Sequence, residues 1–429
     1  MEVSLEEMLT ARERRVERQR ELVARYARPL ICFTMNIAGG VKRNGAIDAS
    51  FLLGMKELRG RAPVMYEERV FERTGCTGYA VCDCGAEALK ALAVELEDAT
   101  PCGRLYDIDV LDERCRKLSR REPRRCLVCD ELAAACARSR RHSATELYVR
   151  ATELASSAVA AELGRMARGA LLFEVDVTPK PGLVDRRNSG AHRDMDADSF
   201  YRSAAALEPY FERIAAVSMR AEEAAELPDT LRAIGVEAEA AMLRATGGAN
   251  THRGAIYTLG LLVAGGAAAI ARSEVGRAPE TAAGLARMLE SGRALRVDDA
   301  TNGGRVRREY GVGGIQAEAM NGFPTVLAAE AELSRRIAAG ATQNDAAVAT
   351  LLWIIARLDD TNLLHRGGAD GAAYAKSEAA RVLGGAHGGI VAQTELLDCE
   401  FTRRNLSPGG SADVLAAAAL LREFKALFT

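Results

Sequence analysis

The spacing of apolar and polar residues divides this chain into a first part with mixed patterns and a second part with helical patterns. Short apolar or alternating runs predict strands at Leu30 to Ile37, Tyr79 to Asp83 and Leu105 to Leu111. Helical periodicity predicts helices at 5–27, at 87–97 and from 125 to about 147. The first part is therefore expected to be an α/β domain over residues 1–149.

After residue 150 the pattern is helical throughout. Leu207, Phe211, Ile214 and Val217 fall on one helical face, and no convincing β alternation appears. Loops rich in Gly and Pro interrupt the helices near 178–191, 246–254, 301–314, 366–371 and 405–411. These patterns predict an all-α domain over residues 150–429, with a boundary inside helical sequence.

The longest apolar run, Gly254 to Ala271, approaches the length of a membrane span. It is rich in Gly and Ala, which is more typical of a helix packed inside a helical protein, so we expect no membrane association. Residues 1–28 are charged throughout, which argues against a signal peptide and favours a cytoplasmic protein.

Charge and cysteine content narrow the possible partners. The chain has 429 residues, and 57 Lys and Arg nearly balance 59 Asp and Glu, giving a net charge of −2. This balance argues against a nucleic-acid binder. Nine of the ten cysteines lie between Cys32 and Cys136. Because no secretory signal accompanies them, we expect reduced thiols.

The segment Thr178 to Met195 (TPKPGLVDRRNSGAHRDM) has a composition that no core helix or strand requires. Its prolines stiffen the backbone and its glycines permit turns, which suits a loop that holds polar side chains around a charged ligand. The side chains that cluster here are Glu174, just before the segment, and Lys180, Asp185, His192 and Asp194 within it.

A second segment, Gly247 to Leu262, places Asn250, His252 and Arg253 directly before an apolar run. Glycine-bearing loops at helix starts present amide groups to anions. The side chains expected to neutralise phosphates are Lys180, Arg253, Arg307 and Arg366, and the carboxylates that could bind Mg²⁺ are Asp185, Asp194 and Asp360. Together these loops predict an enzyme that acts on phosphates.

Asp107 and Asp109 lie two residues apart on the predicted strand Leu105 to Leu111, so both carboxylates project from one face. Such a pair can hold Mg²⁺ against a polyphosphate, although an exposed strand with two acids is the ordinary alternative. Basic residues nearby, among them Arg104 and Arg125, favour the phosphate interpretation.

Cys126, Cys129, Cys136 and His142 have the residue types of a zinc site. The predicted helix over 125–147 argues against one, because Cys129 to His142 would then be a single helix with Cys136 among alanines. We therefore expect these cysteines to be small core residues and zinc to be absent.

The segments GRLYDIDVL, PRRCLVC and CARSRRH make the first part similar to the citrate lyase holo-acyl-carrier-protein synthase family. That family transfers phosphoribosyl-dephospho-CoA to a serine of the apo-citrate lyase acyl carrier protein (the gamma subunit) and releases pyrophosphate. The resemblance implies a nucleotidyltransferase-like mixed sheet with Asp107 and Asp109 as catalytic, metal-binding carboxylates. Lys42, in a G-x-x-K loop, joins Arg104 and Arg125 as candidate phosphate ligands.

The segments EVDVTPKPGLVDRRNSGAHRDM, RATGGANTHRGAIYTLGLL and NLSPGGSAD resemble triphosphoribosyl-dephospho-CoA synthases. That family joins ATP to 3′-dephospho-CoA and expels adenine. The resemblance implies Mg²⁺, ATP as a substrate, and acid–base roles among His192, Asp194 and His252, with Asn188 and Asn250 contacting substrate. Ala241, Gln316 and Ala317 stand where an acidic residue, Arg and Gly are familiar.

The residues alone also allow other functions. The equivalent malonate decarboxylase pathway uses the same prosthetic-group precursor. One half could also be inactive and serve only to bind nucleotide or carrier protein. A helical Mg²⁺-dependent phosphohydrolase is the least specific alternative.

Overall fold

The computed structural model describes residues 2–220, 226–291, 302–385 and 389–429. The chain divides into two units, each of which is described separately. The first unit comprises Met1–Val159 with Ile270–Ser273 and Phe428–Phe428, and the second comprises Ala160–Ala269, Glu274–Leu427 and Thr429–Thr429. The predicted boundary at 149/150 and the division after Val159 both fall within one long helix, Ala144–Asp176.

The first unit is built around a four-stranded sheet. Its strands are β1 (Leu30–Met35), β2 (Val64–Glu72), β3 (Gly75–Cys82) and β4 (Tyr106–Leu111), in the order β2-β3-β1-β4. Its helices are α1 (Leu5–Tyr26), α2 (Gly45–Arg61), α3 (Ala86–Asp98), α4 (Ala133–Ser139) and the start of α5 (Ala144–Asp176). Every neighbouring pair of strands is antiparallel, so the prediction of a mixed sheet was wrong. The α/β class of this unit is confirmed.

The sheet core explains why β1 is central. Leu30, Ile31, Cys32 and Phe33 are all buried, and the Phe33 ring packs edge-on against Tyr106 with ring centroids 4.9 Å apart. A run of consecutive apolar residues suits a strand that is covered on both faces and paired on both edges. The three predicted strands correspond to β1, β3 and β4.

Three elements of the first unit differ from the sequence prediction. Helix α2 (Gly45–Arg61) was not predicted. Strand β2 was not predicted, because its sequence VMYEERVFE is charged and it pairs only with β3, which leaves it at the sheet edge. The helix predicted over 125–147 is wrong. Within that range, residues Ala133–Ser139 form the short helix α4, and α5 begins at Ala144. Helix α4 ends where Arg140 adopts a left-handed conformation with φ of 50°.

The second unit is helical throughout the residues that the structure describes. After α5 come α6 (Ala197–Arg220), α7 (Leu227–Ala245), α8 (Arg253–Ala271), α9 (Ala278–Ser291), α10 (Asn302–Tyr310), α11 (Gly314–Met320), α12 (Pro324–Ala338), α13 (Gln343–Ile355), α14 (Thr361–Leu383), α15 (Ile390–Arg403) and α16 (Gly409–Phe428). Two predicted loops are shorter than expected. Most of 302–314 forms α10, with residue 301 outside the described residues, and 366–371 is only a break in α14 at Gly368.

Helix α8 contains the apolar run that approaches membrane-spanning length. By length and composition it could cross a membrane, but 83% of its most apolar window is buried inside the fold. Its Gly and Ala residues let neighbouring helices approach closely. At Gly265, for example, an added Cβ would lie 2.5 Å from atoms of Ala282. The expectation of a packed core helix is consistent with this burial.

Candidate functional site

Four loops of the helical unit meet around a set of buried polar side chains. These loops are the segments before α6, before α8, before α14 and before α16, and each carries one of the polar motifs found in the sequence. Hydrogen bonds between residues more than 150 positions apart connect them, for example His192 to Ser407 and Arg366 to the carbonyl of Ala191.

Lys180 lies at the buried floor of this cluster, with only 1% of its surface exposed. Its Nζ donates to the Glu174 carboxylate at 2.5 Å and to the Glu174 carbonyl at 2.8 Å. A buried ammonium requires such a partner, because a charge withdrawn from water is otherwise very costly. The buried pair therefore fixes the predicted phosphate ligand Lys180 against the end of α5.

Asp185 organises the first loop. Its Oδ1 accepts from the amides of Arg187 and Asn188, and its Oδ2 accepts from the amide of Lys180 at 3.0 Å. The carboxylate is buried and its hydrogen bonds are local. The structure thus gives this predicted metal ligand a loop-forming set of contacts, and metal binding by Asp185 stays a prediction.

His252 is the most deeply placed histidine of the cluster. It is 3% exposed, its Nδ1 lies 2.7 Å from the Ser203 hydroxyl, and its buried Nε2 has no hydrogen-bond partner. Burial, followed by the nearby charge of Lys180, lowers the pKa of His252 to about 3. The ring is therefore neutral at physiological pH, with one nitrogen free to take part in chemistry.

His192 is held from both sides. A guanidinium nitrogen of Arg366 lies 3.2 Å from Nδ1 and the Ser407 hydroxyl lies 2.8 Å from Nε2. Because arginine can only donate, Nδ1 accepts and Nε2–H donates to Ser407. Burial and then the charge of Arg366 lower the pKa of His192 to about 4. The predicted partner Asp194 is farther from Nδ1, at 3.9 Å, and its side chain is largely exposed.

Asp360 and Asp413 complete the cluster with two carboxyl groups. Asp360 is 2% exposed. It caps α14 through the amides of Asn362 and Leu363, and its other oxygen accepts from the amide and hydroxyl of Ser411. Burial raises the pKa of Asp360. The carboxylate therefore connects the start of α14 to the start of α16.

Asp413 faces the first turn of α8. A Cβ added at Gly254 would lie 2.0 Å from its Oδ2, and the amide of Ala255 donates a hydrogen bond to it. Desolvation, followed by the nearby charges of Glu174 and Asp360, raises the pKa of Asp413 well above its usual value. A carboxyl beside two other carboxyls is a position that a cation or a developing positive charge would stabilise.

Several predicted ligands lie at the edges of the cluster. Asn188 holds the first loop by donating to Asp398 at 2.8 Å, and Asn250 caps α8 by accepting from the Arg253 amide. Arg253 is exposed and pairs with Glu239 at 3.1 Å. Arg307 lies on α10, where an atom added at Gly314 would contact both Arg307 and Thr361. Of the substituted positions, Ala241 is buried on α7 and Gln316 lies on α11.

Two residues that the sequence did not single out belong to this site: Asp398 and Asp413. Glu174, which the sequence places just before the first loop, is the buried partner of Lys180. Asp413 ends the motif NLSPGGSAD, and its place in that motif was the one signal for it. The burial of Glu174 and Asp398 and the desolvation of Asp413 could not be predicted from spacing, because each residue lies on a helix.

The second candidate site lies in the sheet unit. Asp107 and Asp109 project from the same face of β4, as predicted, while Ile108 between them is buried. Asp109 pairs with Lys117 at 2.6 Å and Asp107 with Arg124 at 3.2 Å. Arg124 also contacts the buried carboxylate of Glu97.

A cavity of about 310 Å³ lies beside Arg124, the ion-pair partner of Asp107, while Asp107 and Asp109 are not among its lining residues. Its walls carry Glu97, Asp98, Arg104, Arg120, Glu122, Pro123, Arg124, Arg125 and Asp130. Arg104 and Arg125 thus lie together, as the phosphate interpretation requires. Lys42 is not on the wall, and its Nζ donates to the Ile37 carbonyl at 2.6 Å.

Both candidate sites contain carboxyl groups, the type of ligand that a magnesium ion would need. Carboxylate oxygens are the ligands that Mg²⁺ prefers. Asp107 and Asp109 are both partly exposed, and their ion pairs with Arg124 and Lys117 would have to loosen for a cation to bind. In the helical unit, Asp185 and Asp360 accept several hydrogen bonds, whereas Asp413 accepts one from the Ala255 amide. Asp413 is therefore the carboxyl with more oxygen lone pairs available to a cation.

Both halves of the chain match known protein families. The family model described as ATP:dephospho-CoA triphosphoribosyl transferase matches residues 160–428. The model described as apo-citrate lyase phosphoribosyl-dephospho-CoA transferase matches residues 3–158.

Individual relatives agree with these matches. Protein CitXG of Haemophilus influenzae is 32% identical over 459 residues, covering 99% of this chain and 97% of the relative. A protein of Azotobacter vinelandii, named as a probable 2-(5″-triphosphoribosyl)-3′-dephosphocoenzyme-A synthase, is 42% identical over 60% of this chain and 89% of the relative. A protein of the same name from Salmonella gallinarum is 41% identical over 65% of this chain and 95% of the relative.

Two transferase units joined in one polypeptide define the class of this protein. The chain belongs to the CitXG-type family, in which a CitX unit precedes a CitG unit. It is a transferase that takes part in making the citrate lyase prosthetic group and attaching it. The family matches confirm the resemblance that the sequence motifs indicated.

Proposed function

We propose that the helical unit makes 2′-(5″-triphosphoribosyl)-3′-dephospho-CoA from ATP and 3′-dephospho-CoA at the cluster of Lys180, His252, Asp360 and Asp413. The observation that carries this proposal is the convergence of four motif-bearing loops on one buried polar cluster. In this reaction the N-glycosidic bond of ATP breaks and a bond forms between C1′ and the 2′-oxygen of dephospho-CoA. The hydroxyl proton is balanced by protonation of the departing adenine.

His252 is the candidate general base. If Nδ1–H donates to Ser203, the free Nε2 presents a lone pair to an incoming hydroxyl. The neutral ring carries this lone pair, but burial also makes His252 a weak base by lowering its pKa, and the negative charge of bound ATP would strengthen it. His192 has both nitrogens engaged and is better placed to hold the first loop against Ser407.

The carboxyl groups supply the complementary charge. Loss of adenine builds positive charge at C1′, which a nearby carboxylate stabilises more strongly in the transition state than in the substrate. Asp413, beside Glu174 and Asp360, is the candidate for this role. Because those neighbours raise its pKa, its ionised form would be favoured by bound Mg²⁺ or by the positive charge developing at C1′. The start of α8, with the exposed side chains of Asn250 and Arg253, offers amides and positive charge to the triphosphate. Bound Mg²⁺ would neutralise part of the triphosphate charge.

For the sheet unit we propose transfer of phosphoribosyl-dephospho-CoA to a serine of the acyl carrier protein. The serine oxygen bonds to the α-phosphorus, and the bond from that phosphorus to the α–β bridging oxygen breaks. Pyrophosphate leaves, and the serine hydroxyl proton passes to it. Arg104, Arg120, Arg124 and Arg125 line a cavity suited to phosphate groups. Asp107 and Asp109 would hold Mg²⁺ against the departing pyrophosphate.

The first experiment measures adenine. The purified chain is incubated with ATP, Mg²⁺ and 3′-dephospho-CoA, and adenine, ADP and phosphate are separated by chromatography. We expect adenine in proportion to product. Phosphate or ADP without adenine would support the phosphohydrolase alternative and contradict the synthase proposal.

The second experiment adds apo-citrate lyase acyl carrier protein and follows its mass. We expect one serine to gain the phosphoribosyl-dephospho-CoA group, with one pyrophosphate released per carrier. Apo-malonate decarboxylase carrier protein is the matched control. Equal modification of both carriers would contradict selectivity for citrate lyase.

A further inference from the structure

Three cysteines that the sequence predicts to be core residues lie around a common point with one histidine. One potential ligand atom each from Cys126, Cys129, Cys136 and His142 lies within 4.8 Å of the other three. Cys129 Sγ and Cys136 Sγ are 3.3 Å apart. In a tetrahedral zinc site with Zn–S bonds of about 2.3 Å, sulfur atoms are about 3.8 Å apart. The 3.3 Å sulfur pair is somewhat closer than that value, and the 4.8 Å limit on the other ligand-atom distances is compatible with it.

The backbone around Cys126 is shaped as a turn that presents sulfur to a cation. Residues 125 and 132 form an isolated antiparallel bridge, and the Cys126 amide donates to the Glu131 carbonyl at 2.7 Å. Within this turn the amides of Val128 and Cys129 donate to the Cys126 sulfur. Amides directed at sulfur stabilise a thiolate, which is the form that binds zinc.

His142 provides the second, independent indication of a ligand. Its side chain is only 10% exposed, and its buried Nε2 has no hydrogen-bond partner. Its Nδ1 lies 3.6 Å from the carboxylate of Glu146. A carboxylate beside one ring nitrogen is a common way to orient a zinc-bound histidine through the other nitrogen.

Glu146 is itself fixed in place. Ser143 Oγ accepts from the Glu146 amide at 3.1 Å, and the Glu146 carboxylate accepts from the Ser143 amide at 3.3 Å. This reciprocal pair at the start of α5 is a capping box, so the orientation of Glu146 follows from helix initiation. The histidine is thereby positioned before any metal binds.

We propose that Cys126, Cys129, Cys136 and His142 form a structural Zn²⁺ site in the sheet unit. Four protein ligands close the coordination sphere, which is typical of structural rather than catalytic zinc. A Cys129–Cys136 disulfide is the competing use of the close sulfur pair. It would leave the amide-stabilised Cys126 and the unpartnered nitrogen of His142 without a role.

A zinc ion bound here would hold in place two arginines that line the neighbouring cavity. Arg104 donates to the Cys126 carbonyl and to Asp130 at 3.1 Å, and Arg125 donates to the Asp130 carbonyl at 3.3 Å. Asp130 lies between the first two cysteine ligands and the helix that carries the third. Removing the metal should therefore loosen Arg104 and Arg125, which makes the four ligands positioning residues for this cavity.

Metal content tests the proposal on the full-length wild-type chain. The protein is produced with zinc in the medium, passed over a chelating resin and analysed for metals by mass spectrometry. We expect about one Zn²⁺ per chain. Replacement with Co²⁺ should give the visible bands and thiolate charge-transfer absorption of a tetrahedral sulfur-rich site. Wild-type protein that binds neither ion, or that contains a Cys129–Cys136 disulfide under reducing conditions, would overturn the proposal.

Variants distinguish these four ligands from other thiols. His142→Ala should lower zinc affinity by at least tenfold, whereas His142→Cys should retain the ion and shift the Co²⁺ spectrum toward that of four thiolates. Cys399→Ser, at an exposed cysteine of the helical unit, should leave content and spectrum unchanged. Full zinc content and an unchanged Co²⁺ spectrum in both His142 variants would exclude His142 as a ligand and contradict the site proposed here. Adenine formation by the helical unit reports independently on the proposed synthase activity.

Discussion

At the scale of single residues, burial decides the protonation state of the histidines in the loop cluster. His252 and His192 have pKa values lowered to about 3 and about 4 from an ordinary value of 6.5. When the chain unfolds, both rings can bind a proton at a higher pH than they can in the folded protein. Their contribution to stability is therefore complete above pH 6.5 and decreases as the pH falls toward the folded values.

This linkage predicts a pH dependence that a single substitution should reduce. Between pH 6.5 and about 3, His252 should lower the free energy of unfolding by up to about 1.4 kcal/mol for each unit by which the pH falls. Desolvated Asp413 acts in the opposite direction, because its raised pKa favours the folded state at low pH. The measurement therefore compares wild type with His252→Asn by guanidinium unfolding at pH 7, 6 and 5.

The expected result is a shallower loss of stability with falling pH in His252→Asn than in wild type. His365→Asn is the matched control, because the His365 side chain is exposed on α14. Equal slopes for wild type and His252→Asn would show that His252 is protonated alike in the folded and unfolded chains. The same substitution should reduce adenine formation by about 10²-fold or more if His252 is the general base.

At the scale of elements, the first turn of α8 is shaped by its contact with Asp413. Gly254 lies in helical backbone, where alanine is normally the more stable residue. An added Cβ would nevertheless lie 2.0 Å from Asp413 Oδ2. The glycine is thus explained by close approach of a carboxyl and not by its backbone conformation.

Gly254→Ala should consequently displace the Asp413 carboxyl and lower kcat for adenine formation by at least tenfold. Gly235→Ala is the control, since Gly235 also lies within a helix but an added Cβ meets no atom within 4 Å. That variant should keep its activity and gain up to about 1 kcal/mol in stability. Activity equal to wild type in Gly254→Ala would argue against a functional role for Asp413.

Elements also show how far the sequence predicts this fold. The alternation in LYDIDVL placed both aspartates on one face of β4, because burial of every second residue leaves a direct trace in the sequence. The edge strand β2 left no such trace, since its pairing on one side only lets charged residues occupy it. The four possible zinc ligands were recognised by residue type but judged unfavourable, because an alanine-rich helical pattern concealed a turn at residues 126–131 and a helix end at Arg140.

At the scale of the whole molecule, the sequence predicted the two activities better than it predicted the residues that carry them. The motif order identified both families, and the family matches confirmed them. The convergence of loops depends on how some 270 residues of helices pack, so contacts such as His192 with Ser407 or Asp360 with Ser411 could not be derived from local patterns. Asp413 became a candidate only once this packing was known.

The two proposed activities depend on different aspartates. We therefore expect that one activity can be abolished by substitution while the other is retained. Asp413→Asn should stop adenine formation, yet the chain should still modify the carrier protein when supplied with 2′-(5″-triphosphoribosyl)-3′-dephospho-CoA. Asp107→Asn should do the reverse, because it removes a carboxylate from the sheet unit alone. Mixing the two variants should restore modification from ATP and 3′-dephospho-CoA, provided that the intermediate is free to diffuse between chains.

The mixture also measures what fusion of the two units contributes. If the intermediate is released into solution, carrier modification by the mixture should show a lag that shortens as both variants are concentrated, whereas wild type should show a shorter lag at equal concentration. Adenine and carrier mass are followed together to separate the two steps. Loss of both activities in either single variant would contradict independent sites, and circular dichroism of each variant would show whether unfolding is the cause.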